Sequence, residues 1–226
     1  MVWGILGALD EEVALIREKM DVREKAELLG TCFYQGTVSG KEVVLACCGV
    51  GKVNAAVCTA TLIQRFGAGC VINVGIAGAM RHGLHVMDVI AAREVGFHDQ
   101  DTVMLHYYPE KEFFQTDGDL LDLCTRACAQ LPGMKGTFSP GRIVSGDVFV
   151  SDKATKDAIN ARYAPDCVEM EGAAVGHACY MHGAPFLVIR TMSDTADDGA
   201  QESYDNFIHD AAAQSAHIIL KMLEIG

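Results

Sequence analysis

The stretch VWGILGALDEEV, residues 2–13, joins an apolar run, Val2–Leu6, to three acids, Asp10, Glu11 and Glu12, through Gly7. A run that is apolar at nearly every position is the mark of a strand covered on both faces. Gly7 lets the chain turn sharply off that strand, and acids in a first helical turn complement the positive end of the helix dipole. The stretch therefore reads as strand, tight turn, helix. Working outward, further strands are expected at 31–38, 42–48, 70–74, 86–95, 141–144, 166–169 and 185–190. Helices are expected at 11–20, 52–66, 118–130, 152–161, 171–182 and 203–223. Ser39-Gly40 is a turn that makes a hairpin of the second and third strands. In the last helix Ile208, Ala212, Ser215, Ile219 and Leu223 share one face that would pack on the sheet. Strands alternating with crossover helices predict an α/β fold with a parallel or mixed sheet and helices on both sides. With no linker-like or repeated tract, residues 1–226 read as one domain.

Composition narrows the function. A net charge of −12 opposes nucleic-acid backbones and anionic membranes as partners, but not an uncharged nucleoside. No apolar run approaches the roughly 20 residues of a membrane span. The N-terminus lacks the basic region of a signal peptide, so a cytoplasmic protein is expected. The nine cysteines are odd in number and scattered without a CxxC pair, and so read as reduced, buried thiols. No metal is expected: the histidines are dispersed, and His98, alone among acids in GFHDQD, reads as a structural hydrogen-bonding group. No cofactor is expected either. CCGVGKVNAA (47–56) and NVGIAGAM (73–80) read as Gly-rich turns after strands, and neither fits the dinucleotide fingerprint.

Four acids stand where apolar strands end: Glu12, Glu169, Glu171 and Asp194. The crevice at the carboxyl ends of strands is where open α/β sheets bind ligands. A phosphate loop would leave a helix N-terminus free for the anion, whereas here carboxylates occupy it. Glu169 and Glu171, two apart, would share a face of an extended segment and suit paired hydroxyls. Asp194 in RTMSD is either a helix cap or a buried acid able to protonate a heterocycle. The irregular stretch 98–116, with Tyr107, Tyr108, Phe113 and Phe114 among charges, would cover a ligand or meet a partner.

GALDEEV, GVGKVNAA, SGDVFV, VEMEGAA and RTMSDTAD, in this order and spacing, resemble the 5′-methylthioadenosine/S-adenosylhomocysteine nucleosidases, phosphate-independent relatives of the purine nucleoside phosphorylases. The resemblance implies a single α/β domain with a mixed, partly barrel-like central sheet flanked by helices, and a homodimer. It makes Glu12 the general base that activates water. Glu171 would bind the ribose hydroxyls and stabilise the cationic sugar, with Met170 against the ring. Asp194, held by Ser193, would protonate the adenine leaving group. Phe149 would stack on the base, and the backbone of Val150 would read its edge. Arg190 would sit near the water, held by carboxylates. Tyr204 would cover the 5′ substituent, and a partner's loop around Thr102–Leu105 would close that end.

Two positions depart from the family's pattern. Ile76 replaces a small hydroxyl residue that would bond the water or the ribose. Tyr204 adds a hydroxyl to a normally apolar tail pocket. Either change would fit a hydrolase of another modified purine nucleoside such as futalosine. A phosphate-dependent phosphorylase is opposed by Glu12, whose charge repels phosphate. A nucleoside-binding or storage protein without turnover would have no use for that carboxylate.

Overall fold

The computed structural model describes every residue except Asp198. Its strands form one ten-stranded sheet. Strand β1 (Val2–Gly7) lies parallel between β4 (Lys41–Cys47) and β5 (Ala68–Ala79). Beyond β5 come β10 (Phe186–Asp194), parallel to it, then β6 (Val89–Phe97), β8 (Phe138–Ser145) and β9 (Cys167–Glu169). Because β9 returns to pair with β5, these five strands close into a barrel. The hairpin β3 (Thr31–Val38)–β4 and the edge strand β2 (Asp21–Leu28) extend the sheet from β1, and β7 (Phe113–Gln115) adds to β6. The α/β class with a mixed, partly closed sheet is thus as expected.

Helices α1 (Asp10–Glu18), α3 (Gly118–Gln130) and α6 (Ala200–Ile225) pack on one side, where Val13, Ile16, Leu123, Ile219 and Met222 meet Ile5, Ile72 and Leu187. On the other side α2 (Lys52–Phe66) and α5 (Gly172–His182) set Leu62, Ala173 and Val175 against Leu6, Val71 and Val188. Each such Leu or Ile, taken fully from water, contributes about 1.5–3 kcal/mol. Strands β5 and β10 are buried along nearly their whole length, which explains why both are largely apolar, with Phe186–Ile189 a continuous run in β10. Helix α5 approaches closely through its small residues: a Cβ at Gly176 would lie 2.5 Å from Val95 Cγ2. Helix α4 (Lys153–Tyr163) spans the outside near β9.

The hairpin turn falls at Ser39-Gly40, both with positive φ (51° and 76°), the geometry that suits the twist of paired strands. Elsewhere the expected boundaries shift. The segment 70–74 is the middle of a strand that continues to Ala79, so NVGIAGAM up to Ala79 is strand and not turn. The expected strand at 86–95 runs from Val89 to Phe97, and the one at 141–144 begins at Phe138. Within 98–116 lie a 3₁₀ turn, Thr102–His106, and β7. Strand β2 had no signal because its residues are mostly exposed and charged, as suits an unpaired edge. The nine cysteines are free thiols, seven of them buried.

Candidate active site

The carboxyl ends of β1, β5 and β10 open on one side of the sheet around a cavity of about 350 Å³. That volume lies at the lower end of the range for small-molecule sites. Glu12 reaches it from the first turn of α1, Glu171 from the residue before α5, and Asp194 from the last position of β10. All three expected acids therefore meet in one place, each less than a tenth exposed.

Glu12 is held by three backbone N–H groups. Its Oε2 accepts from Ala8 at 2.6 Å and Leu9 at 3.0 Å, and its Oε1 from Ile76 at 3.1 Å. A carboxylate has about four lone-pair sites, so one remains for a further donor. Burial raises the pKa of Glu12, while the charge of Arg190 and the three N–H groups oppose the rise. The room for this carboxylate comes from Gly75, where a Cβ would stand 2.4 Å from Glu12 Oε1. Gly78 does the same for Asp194, whose Oδ1 lies 2.7 Å from a Cβ built there. Both glycines of NVGIAGAM thus serve carboxylates.

Asp194 accepts from Ala196 N and from Ser193 Oγ, each at 2.8 Å, so Ser193 holds it as expected. Burial pushes its pKa up against these two donors. Glu171 accepts from Gly51 N at 2.9 Å, so the Gly-rich turn before α2 points its N–H at a carboxylate. The next N–H, of Lys52, is taken by Asp147 Oδ1 at 2.9 Å. Burial, followed by the neighbouring charge of Glu169, pushes Glu171 up to about 8, with Arg190 pulling the other way.

Glu169 corrects the expectation of a matched pair. Its Oε1 accepts from Ser145 Oγ. Its Oε2 accepts from Glu171 N at 3.0 Å, Gly172 N at 2.8 Å and Arg190 Nη2. Strand β9 ends at Glu169, and Glu171 leaves the extended region with ψ −40°, so the two side chains part. Glu169 is the counter-ion of Arg190 and seats the start of α5, whereas Glu171 keeps a free edge. Arg190 lies behind the cavity wall, 1% exposed, and also donates to Asn73 Oδ1 at 2.5 Å. Its distance to Glu171 Oε2 is 3.7 Å.

Of the remaining expected residues, Met170, Ser193, Phe149, Ile76 and Tyr204 line the cavity. The rings of Phe149 and Tyr204 meet edge to face with centroids 5.7 Å apart. Ile76 contributes its backbone N–H to Glu12, and its side chain packs toward Ala211 and Ala212 of α6. Val150 lies outside the lining, its side chain buried with Val144 and Ile159. His98 makes a hydrogen bond with its own backbone. Among the described residues its Nε2 has no partner, and the ring lies against Gly146. Sequence reasoning missed Leu9, Val50 and Gln201 in the wall and Asn73 and Ser145 behind it. Asn73 carried a usable signal: an amide inside an apolar run must find partners once buried. No Lys, Arg or His is among the described residues that line the cavity.

Residues 3–224 match the profile of the phosphorylase superfamily. A 5′-methylthioadenosine/S-adenosylhomocysteine nucleosidase of Aeromonas salmonicida (strain A449) is 41% identical over 97% of each chain. A nucleosidase of that name from Neisseria meningitidis, solved in complex with methylthio-immucillin-A, is 37% identical. It superposes with a TM-score of 0.93 over 99% of this chain and 98% of its own. The futalosine hydrolase of Helicobacter pylori strain 26695 superposes with a TM-score of 0.91 at 32% identity, over 99% and 97% of the two chains.

Proposed function

Since the chain belongs to the phosphorylase superfamily, and within it to the 5′-methylthioadenosine/S-adenosylhomocysteine nucleosidases, we propose that it hydrolyses 5′-thio-substituted adenosines to adenine and the thioribose. The observation that carries the reading is the meeting of Glu12, Glu171 and Asp194 around one cavity whose described lining holds no cationic side chain.

The unused lone pair of Glu12 takes a proton from water, which attacks the anomeric carbon as the bond to the purine breaks. A raised pKa brings this base nearer to neutrality, where a general base works best. The sugar passes through a cationic, oxocarbenium-like state, as in glycoside hydrolysis. Glu171 accepts from the ribose hydroxyls, and positive charge on the sugar favours its ionised form. Asp194, whose burial favours its protonated form, donates to the leaving purine at N7. Phe149 and Met170 supply apolar surface for base and sugar, and Tyr204 with Gln201 meets the 5′ substituent. Arg190 keeps the carboxylate cluster from carrying too much uncompensated charge.

Water is favoured over phosphate as the attacking species because an anion would meet the Glu12 carboxylate with no cation among the described residues of the wall. The starts of α1 and α2, which would otherwise attract it, are already occupied by Glu12, Glu171 and Asp147. A cytoplasmic homodimer completes the reading. An apolar groove of about 470 Å³ between α2 and α5, with Val53 and Met181 exposed beside it, would bury against a second copy. Val103 and Met104, half exposed on the 3₁₀ turn, would then reach the partner's cavity.

Chromatography of products from methylthioadenosine, S-adenosylhomocysteine, adenosine, inosine and futalosine, each with and without phosphate, tests the proposal. Adenine release from the first two in the absence of phosphate is expected. A strict phosphate requirement, or cleavage of futalosine alone, would replace this reading with one of its rivals.

A further inference from the structure

The sheet-facing side of α6 carries a hydroxyl that helix packing does not ask for. Ser215 is fully buried, and its helix neighbours Ala211, Ala212 and Ala216 show how well alanine fits this interface. Its Oγ donates to the carbonyl oxygen of Gly75 at 2.9 Å and lies 2.7 Å from Thr191 Oγ1. A serine hydroxyl has one proton. Since that proton goes to Gly75, the hydroxyl of Thr191 must be the donor to Ser215.

The Gly75 carbonyl and the Ile76 N–H belong to one rigid, planar peptide unit. The Ile76 N–H is the sole described donor to Glu12 Oε1, at 3.1 Å. A continuous chain therefore runs from Thr191 through Ser215 and the Gly75–Ile76 peptide to Glu12. Hydrogen bonds in series polarise one another, and they do so most strongly in a buried, low-dielectric setting. Gly75 makes the link consequential. It must lack a side chain to admit Glu12, so no side-chain packing fixes its peptide plane. Its pairing with β10 sets the strand, and the hydrogen bond from Ser215 adds a restraint from outside the sheet.

We propose that Ser215, supported by Thr191, is a positioning residue for hydrolysis: it orients and polarises the peptide N–H that holds Glu12 Oε1, and so aims the remaining lone pair at water. This rests on Glu12 being the general base. Arg190, Glu171, Tyr204, Cys47 and Cys48 also bear electrostatically on Glu12. Substitutions at Ser215 and Thr191 leave all of them in place.

The test uses the full chain with methylthioadenosine and three variants, Ser215→Ala, Ser215→Cys and Thr191→Val. Loss of the hydrogen bond to Gly75, which weakens and misorients the Ile76 N–H at the base, predicts about a tenfold fall in kcat for Ser215→Ala, with KM nearly unchanged. The acid limb of the kcat/KM profile moves to higher pH, because the Glu12 carboxylate loses stabilisation. Thr191→Val moves both in the same direction by roughly two- to threefold, and Ser215→Cys restores part of the loss through its weak donor. A Ser215→Ala protein that melts earlier but keeps the parent's kcat and acid limb overturns the proposal. Titration of the ¹³C-labelled Glu12 carboxyl by NMR probes the same link without turnover. A raised Glu12 pKa in Ser215→Ala supports the chain of bonds, and an unchanged one sinks it. If the parent releases no adenine, the functional reading fails separately from this one.

Discussion

Glu12 shows how much a single carboxylate can be asked to do. In the first turn of a helix it would ordinarily lie in solvent and complement the dipole. Here Gly7 and Gly75 let it fold back over the end of β1, where three N–H groups satisfy it and leave one lone pair. Glu12→Gln keeps the size but removes the proton acceptor. We expect kcat to fall by at least about 10²-fold with KM little altered, measured as adenine release under saturating substrate. The four acids were legible in the sequence because each follows an apolar run that ends in a turn. Residue spacing alone did not show which of Glu169 and Glu171 keeps a free edge, although the family resemblance named Glu171 for the ribose. The difference depends on Ser145 and Arg190, which come from distant strands and claim the oxygens of Glu169.

Strand β5 organises the site as an element. It runs the length of the barrel between β1 and β10, and its last residues carry no side chain at the two places where carboxylates press in. Gly75→Ala should therefore act on chemistry more than on folding. A Cβ 2.4 Å from Glu12 Oε1 must displace the base, and a displacement of about 1 Å costs roughly 10²-fold in rate. The check is kcat beside thermal melting. A variant that keeps full kcat would show that the carboxylate has another seat. The sequence signalled glycines after an apolar run, which reads equally as a turn, and only the continuation of pairing to Gly78 shows them to be strand. Strand β2 is the opposite case. Its charged, exposed residues carry no periodic apolar signal, and its pairing with β3 alone makes it a strand.

At the scale of the whole molecule, the buried acids set how stability responds to pH. Glu171 has an ordinary value of 4.5, pushed up to about 8 by burial and by Glu169. The folded chain therefore binds more protons than the unfolded one between those two values, and stability falls as pH rises through that window. Asp88 and Glu94 act oppositely. Their hydrogen-bond donors hold them low, and their contribution is lost as pH falls below about 4. The expected melting temperature is highest near pH 5 and declines toward pH 8. Glu171→Gln should flatten that decline by on the order of 1 kcal/mol, or roughly 2–4 °C for a chain of this size. Melting curves of both proteins from pH 5 to 8 check it, and parallel slopes would count against a raised Glu171. The sequence by itself determined the α/β class, the hairpin, the helices and the identity of the acids, because apolar periodicity and turn chemistry are local properties of the chain. The hydrogen bonds that claim the oxygens of Glu169 and leave Glu171 a free edge, the seats made by Gly75 and Gly78, and the path from Thr191 to Glu12 were decided only by the tertiary structure. Each of these depends on which groups far apart in the chain meet within hydrogen-bond reach.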